Sequence, residues 1–157
     1  MQELVKELIN KKKTISTMES CTGGGVANAI TNIEGASEVL KFSAVTYSNE
    51  FKIKMGVSKK IIDTYTVYSQ ETADEMSKNI SLFTESDYGI GITGQLNKLD
   101  PNNPVGKDNL VYISIYDRKN NIFYQQKIEV LKENRKLNKE QVINLIVEML
   151  KNILSNK

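Results

Sequence analysis

The chain has 157 residues, enough for one domain with a real core and too short for two comfortable ones. Its 21 basic and 19 acidic residues leave a net charge of +2, so no strong field points to nucleic acid or to a membrane surface. One cysteine and no histidine exclude an intramolecular disulfide, Ser-His-Asp and Cys-His catalysis, and histidine-bearing zinc sites.

The N-terminal "MQELVKELINKKK" places Leu4, Val5, Leu8 and Ile9 on one helical stripe and lacks the apolar run of a signal peptide. Thr14–Met18 reads as a short strand. Ser20, Cys21, Thr22 and three glycines follow, and Val26–Ile33 reads as a helix. "VLKFSAVTYS" (39–48) mixes β-branched and aromatic residues and reads as a strand. "NEFKIKM" (49–55) reads as a short helix with Asn49 as its cap, ended by Gly56. Ser58 caps a helical turn through Ile62. Ser69 opens a longer helix in which Ala73, Met76, Ile80 and Phe83 share a face.

"DYGIGITG" (87–94) is strand-like and rich in glycine, a pattern that marks close approach of a backbone or a ligand. Segments 109–117 and 121–130 read as a hairpin. Asn138 with Gln141 three residues on resembles a capping box, and Val142, Leu145, Ile146, Met149, Leu150, Ile153 and Leu154 trace a continuous helical stripe. The order α-β-α-β-α-α-β-β-β-α predicts a single-domain three-layer α/β/α sandwich whose sheet is part parallel and part antiparallel. No stretch approaches the ~20 apolar residues that span a bilayer. A lone cysteine fits a cytoplasmic setting.

A serine between a strand and a glycine-rich helix start has two readings. The unsatisfied N–H groups of a helix start can hold a carboxylate, a phosphate or an acyl-transfer oxyanion. Alternatively, Ser20 or Thr22 caps the helix and the glycines allow close packing. The G-x-S-x-G spacing is absent, and no Lys-Ser/Thr follows the glycines as in a P-loop. Lys52 falls at the start of the helix after the 39–48 strand. If the two strands are neighbours, Tyr47 and Lys52 share an end of the sheet with Ser20. Spacing alone does not separate Lys52 from Lys54 or Lys41.

The motifs "MESCTGG", "VTYSNEFK" and "GIGITG…NPVG" resemble, in order and spacing, the family that includes the C-terminal domain of CinA. Its enzymes are nicotinamide mononucleotide deamidases. The resemblance implies hydrolysis of the nucleotide's carboxamide to a carboxylate with release of ammonia. It places the nucleophile on Ser20, the base on Lys52 and an accompanying tyrosine on Tyr47, which either relays the proton or is structural. It implies no cofactor or metal, a small-molecule nucleotide as partner, no nucleic acid or membrane, and self-association.

Around that core, backbone N–H groups at Cys21, Thr22, Gly23 and Gly24 are the expected oxyanion donors. Glu19 is expected to pair with Lys52 or the substrate's cationic ring, or only to cap. Thr93 and Gly94 are expected to line the pocket. Cys21 is an alternative nucleophile, although a lone cysteine is more often a buried small hydrophobe. The 5′-phosphate falls to a helix N-terminus or to the basic "KENRK" segment with Arg135. The chain departs from the family after "TG", where a run like A-G-P-G-G is usual and "QLNKLDPNNPVG" stands here. Three readings stay open: the mononucleotide amidase, an amidase for another small carboxamide, and a non-catalytic nucleotide-binding module.

Overall fold

The computed structural model describes residues 1–97 and 101–156. Its elements run α1 (Gln2–Asn10), β1 (Ile15–Glu19), α2 (Gly25–Thr31), α3 (Ala36–Val39), β2 (Leu40–Val45), α4 (Asn49–Lys54), α5 (Lys59–Tyr65), α6 (Gln70–Thr84), β3 (Tyr88–Gly94), β4 (Leu110–Asp117), β5 (Ile122–Glu129) and α7 (Arg135–Ser155). The strands form one sheet in the order β2-β1-β3-β4-β5. The β2-β1 and β1-β3 pairs are parallel, and β3-β4 and β4-β5 are antiparallel. The expected mixed sheet is present.

Side-chain alternation sorts the sheet into two covered faces. Ile15, Ile90, Ile92, Val111, Ile113 and Ile115 pack into the larger core with Leu4, Leu8, Val26, Ile30, Val142, Ile146 and Leu150 of α1, α2 and α7. On the opposite face Met18 packs with Met76 and Ile80 of α6 and with Val57. The central strands β1 and β3 are buried along their whole length, as parallel strands covered on both faces must be. The buried polar side chains of β1 are paired: Ser16 with Thr84 at 2.8 Å and Thr17 with Ser43 at 2.6 Å.

The glycines of β3 answer to a backbone rather than a ligand. A Cβ on Gly89 would lie 1.9 Å from Ser77 O, and one on Gly91 would lie 2.2 Å from Ala73 O, so α6 lies almost directly on the strand. Opposite, Ser114 Oγ of β4 meets Ser77 Oγ at 2.9 Å.

Two helix starts and one strand differ from the sequence reading. Ser48, not Asn49, caps α4, accepting from Phe51 N at 3.3 Å. Asn134, not Asn138, caps α7, accepting from Leu137 N at 3.0 Å. Asn138 is instead buried within α7, where its Oδ1 accepts from Lys132 N and its amide donates to Asn97. The strand expected over 39–48 is shorter, because Ala36–Val39 forms α3 and the ladder ends at Val45. Both cap assignments slipped for one reason: several Ser and Asn residues compete at each end, and only the chain path decides which side-chain oxygen reaches the N3 amide.

Because the two carbonyl contacts are rigid, Gly91→Ala should destabilise the protein by about 3 kcal/mol or more through overpacking. A urea unfolding curve would register this as a lower midpoint.

Candidate active site

Parallel pairing of β1 with β2 brings two distant stretches to one sheet edge. Glu19 pairs with Val45 in register, and Thr46 N continues the ladder to Glu19 O at 2.8 Å. Ser20 therefore leaves β1 beside Thr46, and its own N–H donates to Ile92 O of β3 at 3.0 Å. Lys52, in α4, returns toward the same point. Its ammonium nitrogen donates to Ser20 Oγ at 3.1 Å and to Thr46 O at 2.8 Å. The residue is only 2% exposed, whereas Lys54, two positions on, pairs with Glu50 in solvent.

A cavity of about 350 Å³ opens onto this pair. Ser20, Cys21, Tyr47, Asn49, Lys52, Tyr68, Gly94, Gln95, Asn103 and Arg135 are among its lining residues. The 101–106 segment crosses beside it, held where Asn49 Nδ2 donates to Asn103 Oδ1 at 2.8 Å. Residues 98–100 of the departing 95–104 loop lie outside the described residues.

The turn after Ser20 is built on glycine conformation and one carboxylate. Gly23 and Gly24 have φ of +61° and +87°, which side chains rarely adopt. The turn lets Glu19 fold under the start of α2. Its Oε1 accepts from Ala27 N at 2.9 Å and Thr17 Oγ1 at 3.2 Å, and its Oε2 from Val26 N at 3.1 Å and Thr22 Oγ1 at 2.7 Å. Of the three roles expected for Glu19, the geometry gives it capping. A carboxylate on those N–H groups meets the positive end of the helix dipole.

The same bonds occupy Thr22's hydroxyl. Gly23 N donates to Ser20 O at 3.0 Å, and the N–H groups of Cys21 and Thr22 sit in the same turn, directly after Ser20. Thr93 lies behind the cavity lining, its hydroxyl donating to Val67 O at 2.7 Å, while Val67 and Gly94 line it.

Tyr47 does not reach the pair. It is 64% exposed, beyond the end of β2, and its hydroxyl accepts from Arg135 Nη2 at 3.4 Å. Arg135, the first residue of α7, also donates through Nη1 to Leu96 O, so a cation stands at the cavity edge. Lys139, one turn along α7, lies over the glycine turn, 3.2 Å from where a Cβ on Gly23 would be. Burial pushes the Cys21 thiol up to about 12, although Lys52, Arg135 and Lys139 pull the other way. A neutral, 4% exposed thiol is a poor nucleophile at neutral pH.

Among the described residues no group of His, Cys, Asp and Glu could hold a metal ion, and no helix is long and apolar enough to cross a membrane. The sequence reading missed the individual roles of Asn49, Tyr68, Gln95 and Lys139. Only the strand order brings them to one place, and nothing in their local spacing marks them.

Fold and site together define an α/β protein with a serine-lysine pair at the carboxyl ends of parallel strands, where ligands of open α/β sheets commonly bind. The model of the CinA C-terminal domain matches residues 1–154, and the chain belongs to that family. It is 38% identical to a CinA-like protein of Endomicrobium trichonymphae over 96% of this chain and 34% of the relative. A CinA-like protein of Kosmotoga olearia is 42% identical over 74% of this chain and 28% of the relative. The chain thus spans about a third of the length of these curated relatives. A crystal structure described as a competence-damaged protein (CinA) superfamily protein from Klebsiella pneumoniae superposes with a TM-score of 0.90 at 20% identity, covering 99% of this chain and 96% of the other. The crystal structure of a competence/damage inducible protein from Agrobacterium tumefaciens gives 0.84 at 27% identity, covering 98% and 94%.

Two expectations follow from the surroundings of Ser20. Cys21 should resist iodoacetamide at pH 8 in the native protein and react after denaturation, read by intact mass. Glu19→Gln should lower stability by about 2 kcal/mol, because charge-assisted bonds to the α2 N-terminus are weakened; chemical denaturation measures it.

Proposed function

We propose that this chain is an amidohydrolase that converts nicotinamide mononucleotide to nicotinate mononucleotide and ammonia. The observation that carries the reading is the 3.1 Å contact between Lys52 Nζ and Ser20 Oγ, buried beside a cavity in a chain without histidine. An amide is a poor electrophile and a serine hydroxyl a poor nucleophile at neutral pH, so the site needs a base, an oxyanion donor and an acid. Each requirement has a candidate.

Neutral Lys52 takes the Ser20 proton as Oγ bonds to the carboxamide carbon. The carbonyl electron pair moves onto oxygen, where the N–H groups of Cys21 and Thr22 are the candidate donors. The Lys52 ammonium then returns the proton to nitrogen, the C–N bond breaks, and ammonia leaves behind a Ser20 ester. Water attacks that ester, giving one proton to Lys52; collapse releases the acid and restores Ser20. Burial disfavours the charged form of an amine, and the cationic pyridinium of the substrate acts in the same direction while withdrawing electrons from the carboxamide. Arg135, at the cavity edge, is the candidate partner of the 5′-phosphate, a role that suits its forked donors. Tyr47, bonded to Arg135, belongs with that end of the cavity rather than with a proton relay.

The test is ammonia release from purified protein with nicotinamide mononucleotide, nicotinamide or nicotinamide adenine dinucleotide. Release from the mononucleotide, abolished in Ser20→Ala, is the expected result. Lys52→Met, which keeps the buried volume, should lower turnover by about 1,000-fold or more, whereas Lys54→Ala should change little. The rate should climb with pH as the Lys52 amine loses its proton. No release above the Ser20→Ala level would remove the amidase reading, and equal effects at Lys52 and Lys54 would remove the base.

A further inference from the structure

One side chain of the cavity wall is left with an unmet hydrogen-bonding atom. Gln95 follows β3 and is 3% exposed. Its backbone N–H donates to Leu110 O at 3.0 Å, and its Nε2 donates to Val105 O at 2.8 Å. Its Oε1 is buried and has no partner among the described residues. Turning the amide over would set two carbonyl-type oxygens against each other, so the Val105 bond fixes which atom is left over. An orphaned buried acceptor carries a penalty of about 1–3 kcal/mol and calls for a cause, such as a ligand that supplies the donor.

Strand alternation says which part of a ligand that would be. Ser16, Met18 and Ser20 point to the α6 face of the sheet, as Ser16's bond to Thr84 and Met18's packing with Met76 establish. Gly89, Gly91 and Thr93 point the same way, and Gln95 continues that alternation. Leu96 is out of phase and its carbonyl meets Arg135 of α7. Gln95 thus stands with the Ser20-Lys52 pair, at the end of the cavity where the reacting group sits, and Arg135 takes the opposite side of the chain.

We propose that Gln95 is a specificity-determining residue, its Oε1 accepting a hydrogen bond from an N–H of a primary carboxamide held at Ser20. The inference rests on the amidase reading above and adds how this chain tells substrate from product. A primary carboxamide carries two N–H donors. The carboxylate product carries none and sets an anionic oxygen against Oε1, so the same atom that retains the amide expels the acid. Oε1 is closed to water while Gln95 itself forms part of the cavity wall, with its orientation held by the Val105 bond. The residue lies in the run that replaces the family's glycine-rich loop, so the discrimination belongs to this chain's own sequence.

The experiment compares nicotinamide mononucleotide with nicotinate mononucleotide, by titration calorimetry on Ser20→Ala and on Ser20→Ala with Gln95→Met. Methionine keeps the length and removes the acceptor. Amide affinity should fall roughly 10- to 100-fold, as expected for one lost hydrogen bond to a buried acceptor, while acid affinity should rise because the acceptor that opposes the carboxylate is gone. In the enzyme with Ser20 intact, Gln95→Met should lower kcat/KM by a similar factor. Equal losses for both ligands, or none, overturn the assignment of Gln95 while wild-type ammonia release leaves the amidase reading standing. Absence of that release overturns both. Should Gln95→Met not fold, Ser20→Ala alone decides: the amide should bind about tenfold more tightly than the acid, and an acid that binds equally well or better overturns the proposal.

Discussion

A lysine amine held out of water against a serine hydroxyl is the interaction on which the rest depends. Lys52 is 2% exposed, and a buried amine needs acceptors placed before it arrives. Thr46 O is one of them, and its position follows from the parallel β1-β2 register, which Thr46 N closes onto Glu19 O. Ser20 Oγ is another, fixed because Ser20 N is tied to Ile92 O of β3. Two strand ends therefore converge on one nitrogen, with β3 steadying one of them. The short helix α4, capped by Ser48, delivers that nitrogen to them.

Beside the pair, the positive end of α2 is already taken. Glu19, one residue before Ser20, accepts from Val26 and Ala27 and from the Thr22 hydroxyl. The carboxylate stabilises the helix start. The result is a cavity with Arg135 at its edge and Lys139 close by, a sign of field that suits an anionic ligand. Cys21 shares this surrounding, but burial outweighs the nearby cations and holds its thiol protonated.

The opposite wall owes its position to close packing. With glycine at 89 and 91, α6 rests against the β3 backbone, and Ser77 meets Ser114 across the interface. Gln95 and Leu96 follow directly from the end of β3. The run that follows carries bulky polar residues where the family usually has glycines, and it is laced to its surroundings by Gln95 with Val105 and Asn49 with Asn103. Side-chain amides hold here what backbone closeness holds in a glycine-rich loop.

The amino-acid sequence determined the elements and the residue types offered to the site. Apolar periodicity marked α1, α6 and α7; β-branched runs marked the strands; glycine density marked β3 as a place of close approach; the absence of histidine restricted the choice of base. Resemblance to the CinA C-terminal family, not spacing, singled out Ser20 and Lys52. What only the tertiary structure decided were properties of pairs distant in the chain. Lys52 and Lys54 have the same composition and nearly the same place in sequence, yet one is buried on Ser20 and the other pairs with Glu50 in solvent, because a helix turns its faces by about 100° per residue. Glu19's choice of α2, Tyr47's of Arg135, and the caps at Ser48 and Asn134 rest on which oxygen reaches which donor within a hydrogen-bond length. Gln95 was visible only as part of a bulky loop. Its unmet oxygen exists because Val105 folds back onto its nitrogen, and local spacing carries no record of that contact.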